Sequence, residues 1–295
     1  MAKWLEVPAY VLLCMIWGTT WVVIQIGLRG IPPLTGVALR FGIASLVLLS
    51  LALLMGVRLG RSARERGLWL INALFSFSIS YGIVYWCEQW VPSGLAAVLF
   101  ATYPLFVTLL AHFALPLERI TGAELAGILT GFGGVGLIFS QDFSALGGRQ
   151  VAIASVVMLV SPFVSAVSSV SVKRWGEGIH PLSLTSVPMA MTAGLVGALA
   201  LATEGARDVR WDASSVGALL YLAIMGSAVT FTLYYWLLSR FTAKRMSLIA
   251  YVIPVIAVGI GLARGEPITW QILAGAALVL GGVGLAVHAG RRAAA

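Results

Sequence analysis

Two stretches of this sequence repeat each other, and a chain built that way folds as two related halves. One runs from Tyr85-Trp86 to Pro104 and the other, 150 residues on, from Tyr235-Trp236 to Pro254. In each, an aromatic pair ends an apolar run, a short connection follows, and the next apolar run carries a proline near its middle. Beyond the prolines the echo continues at an offset of 148. Glu118, Ile120, Thr121 and Gly127 recur as Glu266, Ile268, Thr269 and Gly275, and Gly133-Gly134-Val135-Gly136-Leu137 recurs as Gly281-Gly282-Val283-Gly284-Leu285. Self-similarity of this length divides the chain into homologous halves, residues 1–147 and 148–295.

The halves are apolar throughout. With 60% apolar and 10% charged residues, the chain falls far short of the roughly 25% charge of soluble domains, so a lipid bilayer is its expected solvent. A helical span needs about 20 apolar residues to cross about 30 Å of hydrocarbon. Ten segments qualify, near 5–28, 34–56, 67–87, 92–115, 121–140, 150–172, 181–203, 213–238, 245–263 and 268–288. A β-barrel would need shorter segments with strict alternation. The expected fold is an all-α integral membrane protein of ten transmembrane helices. Val7 to Leu28 is too long for the apolar core of a signal peptide and reads as the first span. Cys14 and Cys87, both in apolar runs, are too few for a disulfide framework or a four-ligand metal site. No metal or cofactor is expected. The formal charge of +8 follows from basic loops on one membrane face rather than from nucleic-acid binding.

An even number of spans puts both termini on one side. Loops on that side and the termini carry 13 Lys and Arg residues, and the opposite side carries 5, Arg29, Arg149, Arg207, Arg210 and Arg264. By the positive-inside rule both termini are cytoplasmic. Five spans per half make the copies cross in opposite directions. Charge agrees: the connection from Cys87 to Pro92 has no basic residue, whereas its counterpart carries Arg240, Lys244 and Arg245. The arrangement is an inverted-topology repeat, which in secondary transporters places the substrate site near the midplane between halves.

Candidate site residues follow from polarity in an apolar setting. Ser78, Tyr81, Tyr85 and Glu88 share one helical face of the third span. The eighth span offers Ala228, Phe231 and Tyr235 at the matching positions. Trp17 and Trp21 share a face of the first span with Gln25, and Tyr103 and Tyr251 sit beside the mid-span prolines. Ser161 and Ser165 align on the sixth span with Ser168. Substrate contacts are expected from Trp17, Trp21, Ser78, Tyr81, Tyr85, Tyr103, Ser161, Ser165, Tyr235 and Tyr251. Aromatic anchoring at the membrane interface and close packing through serine are the structural alternatives. Pro104 and Pro254, each removing a helical hydrogen bond, are expected as hinges or as static kinks.

Arg40 is the one basic residue inside a span; it marks a pathway or snorkels to the interface. His112 relays protons or is a hydrogen-bonded packing residue. Glu6, Glu88 and Glu124 lie near span ends and no acid occupies a span centre, so a membrane-embedded carboxylate proton carrier is not expected.

Ten spans in two inverted repeats, Trp17-Gly18, Arg40-Phe41, the mid-span Pro104 and Pro254, and the Gly-Gly-Val-Gly-Leu endings resemble the drug/metabolite transporter superfamily, EamA type. Within it the chain is similar to the YddG-like exporters of aromatic and other neutral amino acids. That resemblance implies a bundle around a central cavity, alternating access, export of a small-molecule substrate, and a place in the bacterial inner membrane. It leaves the oligomeric state open and is compatible with a monomer. Within transport the alternative is export of drugs, cations or other metabolites. A non-transporting scaffold and an intramembrane enzyme are the alternatives from other classes. No paired acids or metal cluster favours an enzyme.

Overall fold

Backbone donors and acceptors have no water to bond inside a bilayer, so each apolar run closes its hydrogen bonds within itself as a helix. The computed structural model describes residues 5–116, 118–205, 209–247 and 249–293, and among them the regular structure is helical. The helices are α1 (Glu6–Leu28), α2 (Pro33–Leu54), α3 (Ala63–Cys87), α4 (Ser93–Ala114), α5 (Gly122–Phe139), α6 (Arg149–Trp175), α7 (Pro181–Thr203), α8 (Ala213–Leu238), α9 (Ala243–Ala263) and α10 (Trp270–Ala293). Nine of the ten pass the length and hydropathy of a span, and α10 contributes a shorter apolar stretch, Trp270–Gly282. The expected all-α, ten-helix architecture is the one observed. Side chains such as Leu54 and Phe113, 86% and 77% exposed, form the apolar surface that lipid covers.

Repeat-related helices pair. α5 packs on α10 and α2 on α7, while α1, α3, α4, α6, α8 and α9 surround the centre. The α5–α10 contact depends on glycine. A Cβ on Gly134 would meet the Gly275 carbonyl at 2.6 Å and Val279 N at 2.9 Å, and a Cβ on Gly282 would collide with the Gly127 carbonyl. Small residues let two helix backbones approach closely enough for dispersion to hold them without a hydrophobic driving force.

Four helices depart from regular α geometry. α3 winds as a π-helix over Asn72–Ile79 and α8 over Ile224–Val229, so the two copies carry the same wide turn. α6 breaks at Leu159, just before Pro162. α4 breaks at Ala101–Thr102, before Pro104, which has no N–H to give the Phe100 carbonyl. Pro254 lies inside a continuous helical stretch, Ile249–Ala263. The two aligned prolines therefore sit in different local geometries.

The helix starts are capped across the halves. Glu204 of α7's end accepts Leu34 N–H at 2.7 Å, and Thr35 N–H and Thr35 Oγ1–H at 2.8 Å, at the start of α2. Glu266 accepts Ser93 Oγ–H at 2.6 Å and Gly94 N–H at 3.2 Å at the start of α4. Glu118 accepts Ala243 N–H at 3.1 Å and Lys244 N–H at 3.2 Å at the start of α9. Glu65 accepts Ser183 Oγ–H at the start of α7. In the exposed connection before α8, Asp212 caps its own helix through Ser214 and Ser215, and these bonds hold its carboxyl down at about 2.

Gly282→Ala should lower the thermal stability of the detergent-purified protein by about 1–3 kcal/mol through overpacking. Gly281→Ala, whose Cβ would meet nothing within 4 Å, should leave the melting temperature unchanged or slightly raised.

Candidate functional site

A chamber of about 80 Å³ lies at the centre of the bundle, room for several water molecules. All six inner helices line it. Trp17, Thr20, Trp21 and Ile24 come from α1; Ser76, Ser80, Tyr81 and Val84 from α3; Phe100 and Tyr103 from α4. Ser165 and Ser169 come from α6, Phe231 and Tyr234 from α8, and Ile249, Ala250 and Ile253 from α9. None of these side chains is charged.

Aromatic rings make two groups on the wall. Trp17 meets Phe231 edge-on at 5.2 Å and Tyr234 at 5.5 Å, and Tyr81 meets Phe231 at 6.0 Å. Across the chamber Trp21 packs on Phe100 at 5.4 Å, and Phe100 stacks on Tyr103 at 5.9 Å. Such pairs contribute about 0.5–1.5 kcal/mol each beyond area burial. The polar contacts are hydroxyl clusters. Tyr103 Oη, Tyr234 Oη and Ser169 Oγ lie within 2.7–3.1 Å of one another. Ser80 Oγ bonds Ser161 Oγ and Ser165 Oγ, both at 2.8 Å. Trp17 Nε1–H is buried without a hydrogen-bond partner among the described residues.

Arg40 stands behind this wall. It is 0% exposed, which removes snorkelling as its explanation. Its Nε donates to Ser227 Oγ at 2.7 Å, Nη2 to the Gly226 carbonyl at 2.9 Å and Nη1 to Tyr85 Oη at 3.4 Å. Its guanidinium lies 4.6 Å over the Tyr81 ring. Gly226 and Ser227 belong to the π-helical turn of α8, and π-turns leave room to turn a carbonyl outward.

Of the ten residues read from the sequence as substrate contacts, Trp17, Trp21, Tyr81, Tyr103 and Ser165 line the chamber. Four lie off it. Ser78 donates to Thr192 on α7 at 3.1 Å, Tyr85 faces Arg40, Ser161 is buried against Ser80, and Tyr235 is buried behind Tyr234. The Tyr251 side chain falls outside the described residues. The displacement of Ser78 has a physical cause: the π-turn adds residues per turn, so a face counted at 3.6 residues rotates away before it reaches Ser78 and brings Ser76 and Ser80 round instead. Tyr234 and Ser169 were missed, although each is adjacent in sequence to a residue singled out. His112 sits in the last turn of α4, where its Nδ1 accepts Ile120 N–H at 3.0 Å; it is a hydrogen-bonded packing residue outside the chamber. Among the described residues no group of three or more His, Cys, Asp or Glu gathers to hold a metal.

Comparison with known proteins bears on the fold and the family. The sequence pattern of the EamA-like transporter family matches residues 5–140 and again residues 152–287, once per half. The chain is 26% identical over 270 residues to the uncharacterized transporter YoaV of Bacillus subtilis, covering 91% of this chain and 92% of YoaV. It is 30% identical over 264 residues to the uncharacterized inner membrane transporter YedA of Escherichia coli K12, covering 86% and 80% of the two chains. A solved structure superposes with a TM-score of 0.73 at 21% identity over 97% of this chain and 98% of that one, a likeness of fold.

Arg40→Lys should cost at least about 2 kcal/mol of stability, since lysine cannot serve Ser227, Gly226 and Tyr85 together while stacked on Tyr81, and unserved buried acceptors cost about 1–3 kcal/mol each. Thermal unfolding in detergent measures it; a melting temperature equal to the parent's would remove the fork from its structural role.

Proposed function

Because the chain belongs to the EamA-like transporter family, we propose that this multi-pass membrane protein exports amino acids, aromatic or large neutral ones preferred, from the bacterial cytoplasm by alternating access. The finer reading is a YddG-like exporter of the inner membrane with both termini cytoplasmic, the orientation favoured by the excess of Lys and Arg on that side. One observation carries the substrate class. The chamber wall is aromatic and hydroxylic, holds no ionised side chain, and includes a buried donor without a partner among the described residues, Trp17 Nε1–H. A net-neutral solute with a large apolar group enters such a wall without leaving a charge of the protein unpaired. Its carboxylate accepts from Trp17 Nε1 and the hydroxyls, its ammonium lies against ring faces, and its side chain packs on the rings of Trp21 and Phe100. A cationic drug would find no carboxylate among the described lining residues, which disfavours the alternative.

Alternating access then requires the inner helices to part at one face while closing at the other. The breaks in α4 and α6 and the wide turns in α3 and α8 are where bending replaces the fewest helical bonds. On this reading Pro104 and Pro254 act as unequal hinges.

Protein reconstituted in liposomes should show saturable counterflow of radiolabelled Phe, Thr or Met; absence of saturable flux for all three overturns the proposal. Trp17→Phe keeps an aromatic ring, smaller than the indole, and deletes the donor. It should weaken apparent affinity about tenfold, the equivalent of one hydrogen bond at about 1–1.5 kcal/mol, with the melting temperature held. Loss of flux and stability in parallel would return Trp17 to packing.

A further inference from the structure

Glu88 follows α3 by one residue and is 3% exposed. Neither of its carboxylate oxygens has a hydrogen-bond partner among the described residues. A buried carboxylate without donors is costly, and such a group gives up its charge by taking a proton. Every other capping or paired glutamate described above does have donors, so Glu88 stands apart.

Its surroundings explain why it stays unpaired. The charged and titratable groups facing it are Arg40 from α2, Glu266 from the α9–α10 connection, and Tyr85 and Cys87 from its own helix. Arg40 spends its nitrogens on Ser227, Gly226 and Tyr85. Glu266 is committed to the start of α4, Ser93 and Gly94, five and six residues beyond Glu88. α6, packed on this end of α3, gives the Ala154 carbonyl to Cys87 Sγ and keeps Arg149 exposed. Two acids thus meet at one helix start with one already-bonded cation in reach.

We propose that Glu88, with Glu266 beside it, is a proton-binding site at this end of the bundle. The Glu88 carboxyl carries a proton while the α4 start is held closed and releases it to water when that end opens. Burial first, and then the Glu266 carboxylate, hold the Glu88 carboxyl well above the usual carboxylate range, against the pull of Arg40. The opposite end shows what an occupied arrangement looks like. There Glu118 caps α9, and its neighbour Glu124 is paired with Lys244 at 2.7 Å.

No acid occupies a span centre, where a carboxylate proton carrier is expected; Glu88 sits just past a span end and is buried by its neighbours.

Infrared difference spectra of the full-length protein in nanodiscs, titrated with pH in the absence of any transport substrate, read the site directly. The parent should show a protonated-carboxyl stretch that disappears with a midpoint above the usual carboxylate range. Glu88→Gln should abolish the band, and Glu266→Gln should shift its midpoint downward. Because the folded protein holds this proton more tightly than the unfolded chain, stability is full below the ordinary carboxylate range and falls as pH rises through the raised folded value. Glu88→Gln should flatten that fall. No such band, or a band untouched by Glu88→Gln, would leave Glu88 an ionised distant counter-ion of Arg40 and overturn the proposal. An unmoved midpoint in Glu266→Gln would remove Glu266 from the site. With no substrate in the sample, these outcomes are separate from those of the counterflow measurement.

Discussion

The first backbone N–H groups of a helix have no partner within it, and in a membrane-embedded bundle water cannot serve them all. Three glutamates supply acceptors here, and each reaches into the opposite half: Glu118 to α9, Glu204 to α2 and Glu266 to α4, while Glu65 accepts the Ser183 hydroxyl at the start of α7. A carboxylate at a helix N-terminus is favoured by the backbone dipoles as well as by the hydrogen bonds. Each contact therefore ties the halves together at the edge of the membrane and keeps these carboxylates out of the apolar interior. The pattern is reciprocal, because a pseudo-two-fold duplication that places one cap places its mate.

Fixing the helix starts at the edges lets the middles be irregular. The π-turns of α3 and α8 lie in the membrane interior, where each turns polar groups toward a partner. Asn72 of the first donates to the Leu184 carbonyl at 2.9 Å and accepts from Ser168 at 2.6 Å, while Gly226 and Ser227 of the second accept from Arg40. Arg40 is thereby held one layer behind the chamber, with Tyr81 between it and the cavity. The wall stays uncharged although a guanidinium lies close by. The rings of Phe41 and Phe77, 5.1 Å apart, continue the same layer outward.

The duplication, the ten helices and the apolar exterior were legible because they rest on composition and period, which act over many residues at once. The chamber was legible in part. Trp17 and Tyr103 are large aromatic side chains deep in spans, and depth can be counted. Ser78 was misplaced because it lies within the π-turn of α3, where a count of 3.6 residues per turn fails, and no residue type announces a π-turn; Tyr235 was placed by its match to Tyr85, and both lie off the chamber. The caps were present in the sequence as an unexplained match, Glu118 with Glu266. Their role needed the fold, since each partner lies 125 or more residues away.

Duplication makes the two ends alike, and later divergence makes them different. Around Glu118 the second acid, Glu124, lies in a capping box with Thr121 and is paired with Lys244, whose Nζ also bonds the Arg119 carbonyl at 2.9 Å. Among the described residues no lysine pairs with an acid around Glu266: Thr269 instead bonds Gln141 at 2.6 Å, and the nearby acid is Glu88, without a partner there. Opening the first end means separating a charge-balanced network. Opening the second means hydrating a carboxyl that is poorly accommodated while closed. A transporter with identical ends would have no built-in preference between its two access states. On the proposal made for Glu88, the difference in charge balance gives the two ends unequal free energies of opening, an inequality that the chamber they share does not supply.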